Sequence, residues 1–298
     1  MRHPAPTPEE AIERLARYFD GPQTRQGLLA RRALGRPATG DAALTLNLIR
    51  HLAAEVRRDG TVRGGFLPTA FRLLELTDLG ADEETTAVPR LTTWLLAQQG
   101  LPGCYSDGCT KPRHEAGACE HFLQGFFSPA PAEQRVAPVS LPNGKVFRAE
   151  PAARFALSCL ALRALMGTTA RTYTGPGRHL ASLATLRGAW EQWDGYFPPD
   201  LVLTALTALA SAPGDHRSLG GITAFVAAQQ MPDGSWPQAD RFVALEALLV
   251  AGTPEATAAI RRAVPALAAS VRADGSFGPV AQQERGLIGL RALLAARA

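Results

Sequence analysis

The sequence predicts an all-α protein built as a tandem of about six helical hairpins, with inner and outer helices alternating along the chain. Three observations carry this. The stretch Gly220 to Gly252 reads as a helix, a Pro232-Asp233-Gly234 turn followed by Trp236, and a second helix. Proline lacks the N–H a helix interior needs and glycine accepts turn dihedrals, so neither helix runs through the turn. The second helix, opened by Asp240, is apolar almost without a break from Phe242 to Val250, which is the mark of a buried helix. Finally, the unit recurs. Turn glycines at 60, 103, 144, 195, 234 and 275 step by 43, 41, 51, 39 and 41 residues, and a near-constant period of this size signals a repeat architecture. An array with as many inner as outer helices can close into a ring.

In chain order, Thr7-Pro8-Glu9-Glu10 is a helix start, with a capping Thr, Pro at the first position and acids in the first turn. That helix runs to about Phe19, and residues 23–35 form another. Residues 1–40 are therefore expected as an N-terminal helical extension packing on the array, with the repeat occupying 41–298. The first outer helix spans 41–57, its inner partner Pro68–Leu79, and the next outer helix 82–99, where Asp82-Glu83-Glu84 fits a first turn. Residues 100–149 interrupt the rhythm as a long Cys/His-rich loop insertion, with one short helical candidate at 121–127. The hairpins resume with Ala152–Met166 (inner), Arg178–Trp193 (outer), Pro199–Ala210 (inner), Leu219–Gln230 (outer), Asp240–Val250 (inner), Pro254–Arg272 and Val280–Ala296.

Trp94-Leu95-Leu96-Ala97-Gln98-Gln99 matches Phe225-Val226-Ala227-Ala228-Gln229-Gln230, and each aromatic precedes a turn glycine by nine residues. The aromatic, the Gln-Gln and the following Asp233-Gly234-Ser235-Trp236 resemble the QW repeat of squalene-hopene cyclases, shared by the β subunits of protein prenyltransferases. The resemblance covers roughly residues 41 to 298. It implies an α/α toroid with inner and outer helix rings, a central cavity and a small apolar or isoprenoid-like ligand.

Charge and composition exclude other classes. Net charge is +4 and the pI is near 9.1, but the arginines are scattered rather than massed as the stripe a nucleic acid needs, so no nucleic-acid partner is expected. No run of about 18 apolar residues offers a transmembrane segment, and the polar start lacks a signal-peptide core. A cytoplasmic setting follows as the default, where metal thiolates outlast disulfides. A closed ring requires no protein partner, and the sequence names none.

Cys104, Cys109, His114, Cys119 and His121 lie within 18 residues. Zinc takes four thiolate and imidazole ligands in a tetrahedron, and a Gly/Pro-containing loop can wrap to supply them. Either these five hold zinc or they are thiols packed under a loop. The context Ser106-Asp107-Gly108-Cys109 resembles the zinc-binding Asp-x-Cys of prenyltransferase β subunits, although Leu157 stands where that family's histidine ligand would fall.

Aligning the inner helices on Phe71, Phe155 and Phe242 presents Glu75, Cys159 and Glu246 four residues on. Acids in apolar helices are costly to bury unless paired, and such groups concentrate at functional sites. These three are the candidate catalytic residues, with Arg163 and Arg291 as possible partners. The alternative places the charges at helix rims, in water. Asp-x-Asp-Asp, the acid motif of protonation-initiated cyclases, and Asp-Asp-x-x-Asp, the magnesium-diphosphate motif, are both missing. Three functions remain: a cyclase- or prenyltransferase-like enzyme with loop zinc; a toroid that binds a ligand or partner without chemistry, its zinc structural; and a carbohydrate-active α/α barrel using Glu75 and Glu246 as its carboxylate pair.

Overall fold

Thr7 caps the first helix, α1 (Pro8–Asp20), through a reciprocal pair of bonds. Its hydroxyl accepts the Glu10 N–H at 3.2 Å and the Glu10 carboxylate accepts the Thr7 N–H at 3.0 Å. The computed structural model describes residues 5–99, 132–185, 193, 197–214 and 219–297. After α1 come α2 (Arg25–Ala33), α3 (Asp41–Ala54), α4 (Phe66–Asp78) and α5 (Ala87–Gln98). Two short strands follow, β1 (Val139–Ser140) and β2 (Val146–Phe147), paired antiparallel with Val139 opposite Phe147. The chain then forms α6 (Glu150–Met166), α7 (Thr174–Thr185), α8 (Pro199–Ala210), α9 (Gly220–Ala228), α10 (Arg241–Ala251), α11 (Pro254–Ala269) and α12 (Gln282–Ala295). The chain groups into two compact units. One comprises Met1–Leu48, Pro142–Lys145 and Asp215–Ala298, and the other Ile49–Leu141 and Val146–Gly214.

Burial separates the two kinds of helix as their composition dictates. Every residue of α8 is buried, and α6 is buried without interruption from Ala153 to Leu162. By contrast α11 buries Ala256, Ala259, Ile260, Ala263 and Leu267, a stripe at helical spacing. The core of the second unit therefore lies around α6, which packs against α4 and α8 and where Phe155 meets Phe197 at 5.4 Å. In the first unit α10 and α12 are the buried pair, and Phe242 meets Phe277 edge-on at 5.0 Å.

The turn signature has a single geometry. Asp59, Asp233 and Asp274 each accept the N–H two residues on, from Thr61, Ser235 and Ser276 at 2.9–3.0 Å. Those bonds, together with the Ser235 hydroxyl that is the larger cause at Asp233, hold all three carboxyls below their ordinary range. The glycine that follows each takes positive φ, near +80°. It also lies against the backbone of an outer helix: Gly60 against Arg90 and Trp94 of α5, Gly234 against Arg262 and Ala263 of α11, and Gly275 against Arg14 and Tyr18 of α1. By this contact α1 is the outer helix that follows the last hairpin. Its partner α2 lies beside α12, where Glu284 takes bonds from Arg25 at 2.7 Å and Gln26 at 2.9 Å. The first two helices thus pack on the last hairpin and its closing helix.

The glutamine of the repeat staples successive outer helices. Gln230 Nε2 donates to the Gly234 carbonyl at 3.1 Å and to Ala259 of α11 at 3.0 Å, while its Oε1 accepts from Arg262 at 2.8 Å. Gln99 makes the corresponding reach to Gly175 of α7 at 3.1 Å. Trp236, buried, donates its indole N–H to Val226 at 2.9 Å. Gln230→Ala removes three bonds at a half-buried site and is expected to cost about 1–2 kcal/mol in urea-monitored unfolding.

Two sequence expectations are corrected. The helix expected from residue 82 begins at Ala87, because Pro89 can only stand in a first turn. The acids before it serve a turn: Asp82 accepts from Glu84 at 3.1 Å, and Glu83 accepts the Thr169 N–H. Asn143-Gly144 joins the two strands instead of two helices. The helical candidate at 121–127 and the turns at 103 and 195 lie outside the described residues.

Candidate functional site

Glu75 stands on α4 among buried Leu73, Leu74 and Leu76, with its side chain 15% exposed. One turn earlier on the same helix, Arg72 places Nε 3.1 Å from the Glu75 carboxylate. The other arms of that guanidinium reach the Leu52 carbonyl and Glu55, both at 3.0 Å. The acid therefore has its charge partner on its own helix face, at the i, i+3 spacing where side chains meet.

Glu246 stands on α10, half-buried between Leu245 and Ala247, which are fully buried. Its Oε2 accepts the side-chain N–H of Asn143 at 2.8 Å, from the Pro142–Lys145 segment of the same unit. Asn143 is 4% exposed. Its Oδ1 accepts the Lys145 N–H at 3.0 Å and its backbone carbonyl accepts Arg285 Nε at 2.8 Å. Arg285 in turn pairs with Asp240 at 2.6 Å and lies over the Phe242 ring, 4.8 Å from its centre. Asp240 caps α10 by accepting the Phe242 N–H at 2.8 Å. Glu246, Asn143, Arg285, Asp240 and Phe242 form one connected cluster in the first unit.

Cys159 is 1% exposed on α6, and burial pushes its thiol far above the ordinary range. Reactivity belongs to the thiolate, the form that this burial disfavours. His179 on α7 is fully buried, and burial lowers its pKa to about 3, so the imidazole is neutral. Cys104, Cys109, His114, Cys119 and His121 lie outside the described residues. Among the described residues no group of three or more His, Cys, Asp and Glu side chains could hold a metal ion, and no helix is long and apolar enough to cross a membrane.

A separate cavity of ≈330 Å³ opens beside the Arg31–Asp41 pair and contains none of the residues singled out from sequence. The pair is close, at 2.6 Å, and its remaining groups are taken by the Ala38 N–H and the Phe19 carbonyl. It is a satisfied structural bridge, and the guanidinium holds the Asp41 carboxyl below its ordinary range.

Sequence reasoning found both acids but missed Arg72, Asn143 and Arg285. The Arg72–Glu75 spacing was available as a signal. For the other two only the Asn-Gly dipeptide was, and it fixes a turn without naming what the turn touches.

No family model and no curated protein matches the chain. Solved structures do. A variant of the type II terpene cyclase MstE from Scytonema, in complex with the product merosterolic acid A, superposes with a TM-score of 0.57 at 14% identity, covering 97% of this chain and 96% of that one. Two further variants of the same enzyme, holding the substrate geranylgeranyl dihydroxybenzoate, superpose at 0.55 and 14% identity over 97% of this chain. Those matches join the helical pairs and the QW-type turns in one conclusion: this chain has the α/α-toroid fold of the terpenoid cyclases.

Proposed function

We propose that the protein is a terpenoid cyclase-like enzyme acting on an apolar, isoprenoid-like substrate, with Glu246 as its acid. The observation that supports this is the correspondence of 97% of the chain to a cyclase whose complexes hold geranylgeranyl dihydroxybenzoate and merosterolic acid A. Acid-initiated cyclisation needs one carboxyl able to hand over a proton. The proton adds to one carbon of an alkene and leaves a cation on the other. A neighbouring alkene attacks that carbon to close a ring, and a final C–H bond returns a proton, so product and substrate are isomers. Glu75 is fixed in an ion pair with Arg72 on its own helix, and the Glu246 carboxyl is oriented by the Asn143 amide. We therefore assign proton delivery to Glu246 and leave Glu75 as a charge fixed beside α4. Buried Cys159 contributes packing.

The test is incubation of the purified chain with geranylgeranyl dihydroxybenzoate, followed by chromatography with mass spectrometry. The expected result is a new species of unchanged mass with added rings, and Glu246→Gln slows its formation about 100-fold. Recovery of bound but unchanged substrate would favour a toroid that binds without chemistry, a reading the missing Asp-x-Asp-Asp motif supports. Zinc at Cys104, Cys109, His114, Cys119 and His121 is proposed from their composition and spacing alone. Metal analysis of the wild type against Cys109→Ser decides it.

A further inference from the structure

We infer that Asn143 is a positioning residue for the Glu246 carboxyl, an inference that rests on the reading of Glu246 as the acid. Asp59-Gly60, Asp233-Gly234, Asp274-Gly275 and Asn143-Gly144 share one geometry: a side-chain oxygen accepts the N–H two residues on, and the glycine takes φ between +79° and +85°. Only the oxygen is needed for that turn, and aspartate supplies it three times. The fourth turn carries an amide in place of the carboxyl. Its extra group, Nδ2, donates to Glu246 at 2.8 Å across 103 residues of sequence.

A carboxylate at 143 would keep the turn but set two acids against each other, whereas the amide gives Glu246 a donor. Everything around Asn143 fixes that donor in place. The residue is buried, its Oδ1 is taken by Lys145 N–H, and its carbonyl is held by Arg285, itself anchored on Asp240 and Phe242. Gly144 is seated equally tightly, since a Cβ there would meet Val280 at 2.5 Å and Ala281 at 3.0 Å. Arg285, Asp240 and Lys145 are charged groups of this cluster, and none of them is altered by a change at 143. The turn therefore aims an amide donor at the acid.

Asn143→Asp tests this, because it preserves the turn and replaces the donor with a second carboxylate. The readout is the ¹³C NMR titration of Glu246 in the full chain without substrate. The expected result is a shift of its protonation to higher pH by at least about one unit, caused by the lost donor and the added like charge. An unmoved titration in a folded Asn143→Asp protein would overturn the inference. If that variant unfolds, the exchange Asn143→Asp with Glu246→Gln restores a donor and an acceptor in swapped places. Recovery of thermal stability is then expected, and strictly additive losses count against the pair. With substrate, Asn143→Ala lowers kcat about tenfold while KM stays within twofold. A wild type that makes no cyclised product, in which Asn143→Asp still moves the titration, removes the cyclase reading and leaves the positioning intact. Product formation with an unmoved titration does the reverse.

Discussion

Gly275→Ala is expected to lower the stability of the protein by about 4 kcal/mol, measured by urea unfolding at neutral pH. Two costs combine. Gly275 has φ +81°, in the left-handed region where a Cβ costs about 1–2 kcal/mol. The new methyl would also stand 2.5 Å from the Arg14 carbonyl and 2.7 Å from the Tyr18 Cβ. Both belong to the α1 backbone or its base, so the helix must move, at about 1–3 kcal/mol. Gly252→Ala is the control. It has a comparable φ of +60° but no atom within 4 Å of its Cβ, so about 1 kcal/mol is expected there. The difference between the two variants measures how firmly the last hairpin turn is seated on the first helix. Equal losses would mean that α1 does not serve the final turn as α5 serves Gly60 and α11 serves Gly234.

That role of α1 was hidden from the sequence for a physical reason. The repeat is legible where its own residues make the contact. Asp240 caps α10, and the apolar run behind it is buried as its pattern requires. Gln230 and Trp236 bond within the hairpin or to the next helix. The seat of Gly275, however, lies about 260 residues upstream, in a helix that carries no QW signature, only a carbonyl and a Cβ that any helix has. Residues 1–40 therefore read as an extension; in the structure α1 seats Gly275 and α2 lies beside α12.

The candidate site divides the same way. Glu75 and Glu246 were identifiable because acids interrupt apolar inner helices, a local pattern. Their environments were not. Arg163 and Arg291 were the partners expected, and the geometry adds Arg72 beside one acid and Asn143 beside the other. Asn143 belongs to a connection between two-residue strands, too short to leave a periodic trace. The repeat period, by contrast, placed Asn143-Gly144 in series with the helical turns, and the local geometry is indeed theirs. What differs is the element each turn joins.

His179 sets the second large effect, a loss of stability in mild acid. Its ordinary pKa of 6.5 falls to about 3 in the folded chain because burial penalises the charged ring. Between those values the unfolded chain binds a proton that the folded chain refuses, so stability falls as pH drops below about 6.5 and keeps falling until about 3. Each pH unit in that window costs up to about 1.4 kcal/mol, which amounts to about 3 kcal/mol by pH 4. Asp41 acts in a lower window. Its carboxyl is held down by Arg31, so its contribution is complete above its ordinary value of 3.8 and is lost only as pH falls below that. The interval from pH 6.5 to 4 therefore isolates the imidazole when wild type is compared with His179→Gln. The variant, whatever its stability at pH 7, is expected to show a flatter slope by about 1 kcal/mol per pH unit across that interval. Parallel slopes for the two proteins would mean that His179 takes up its proton as readily folded as unfolded, against the full burial of its ring.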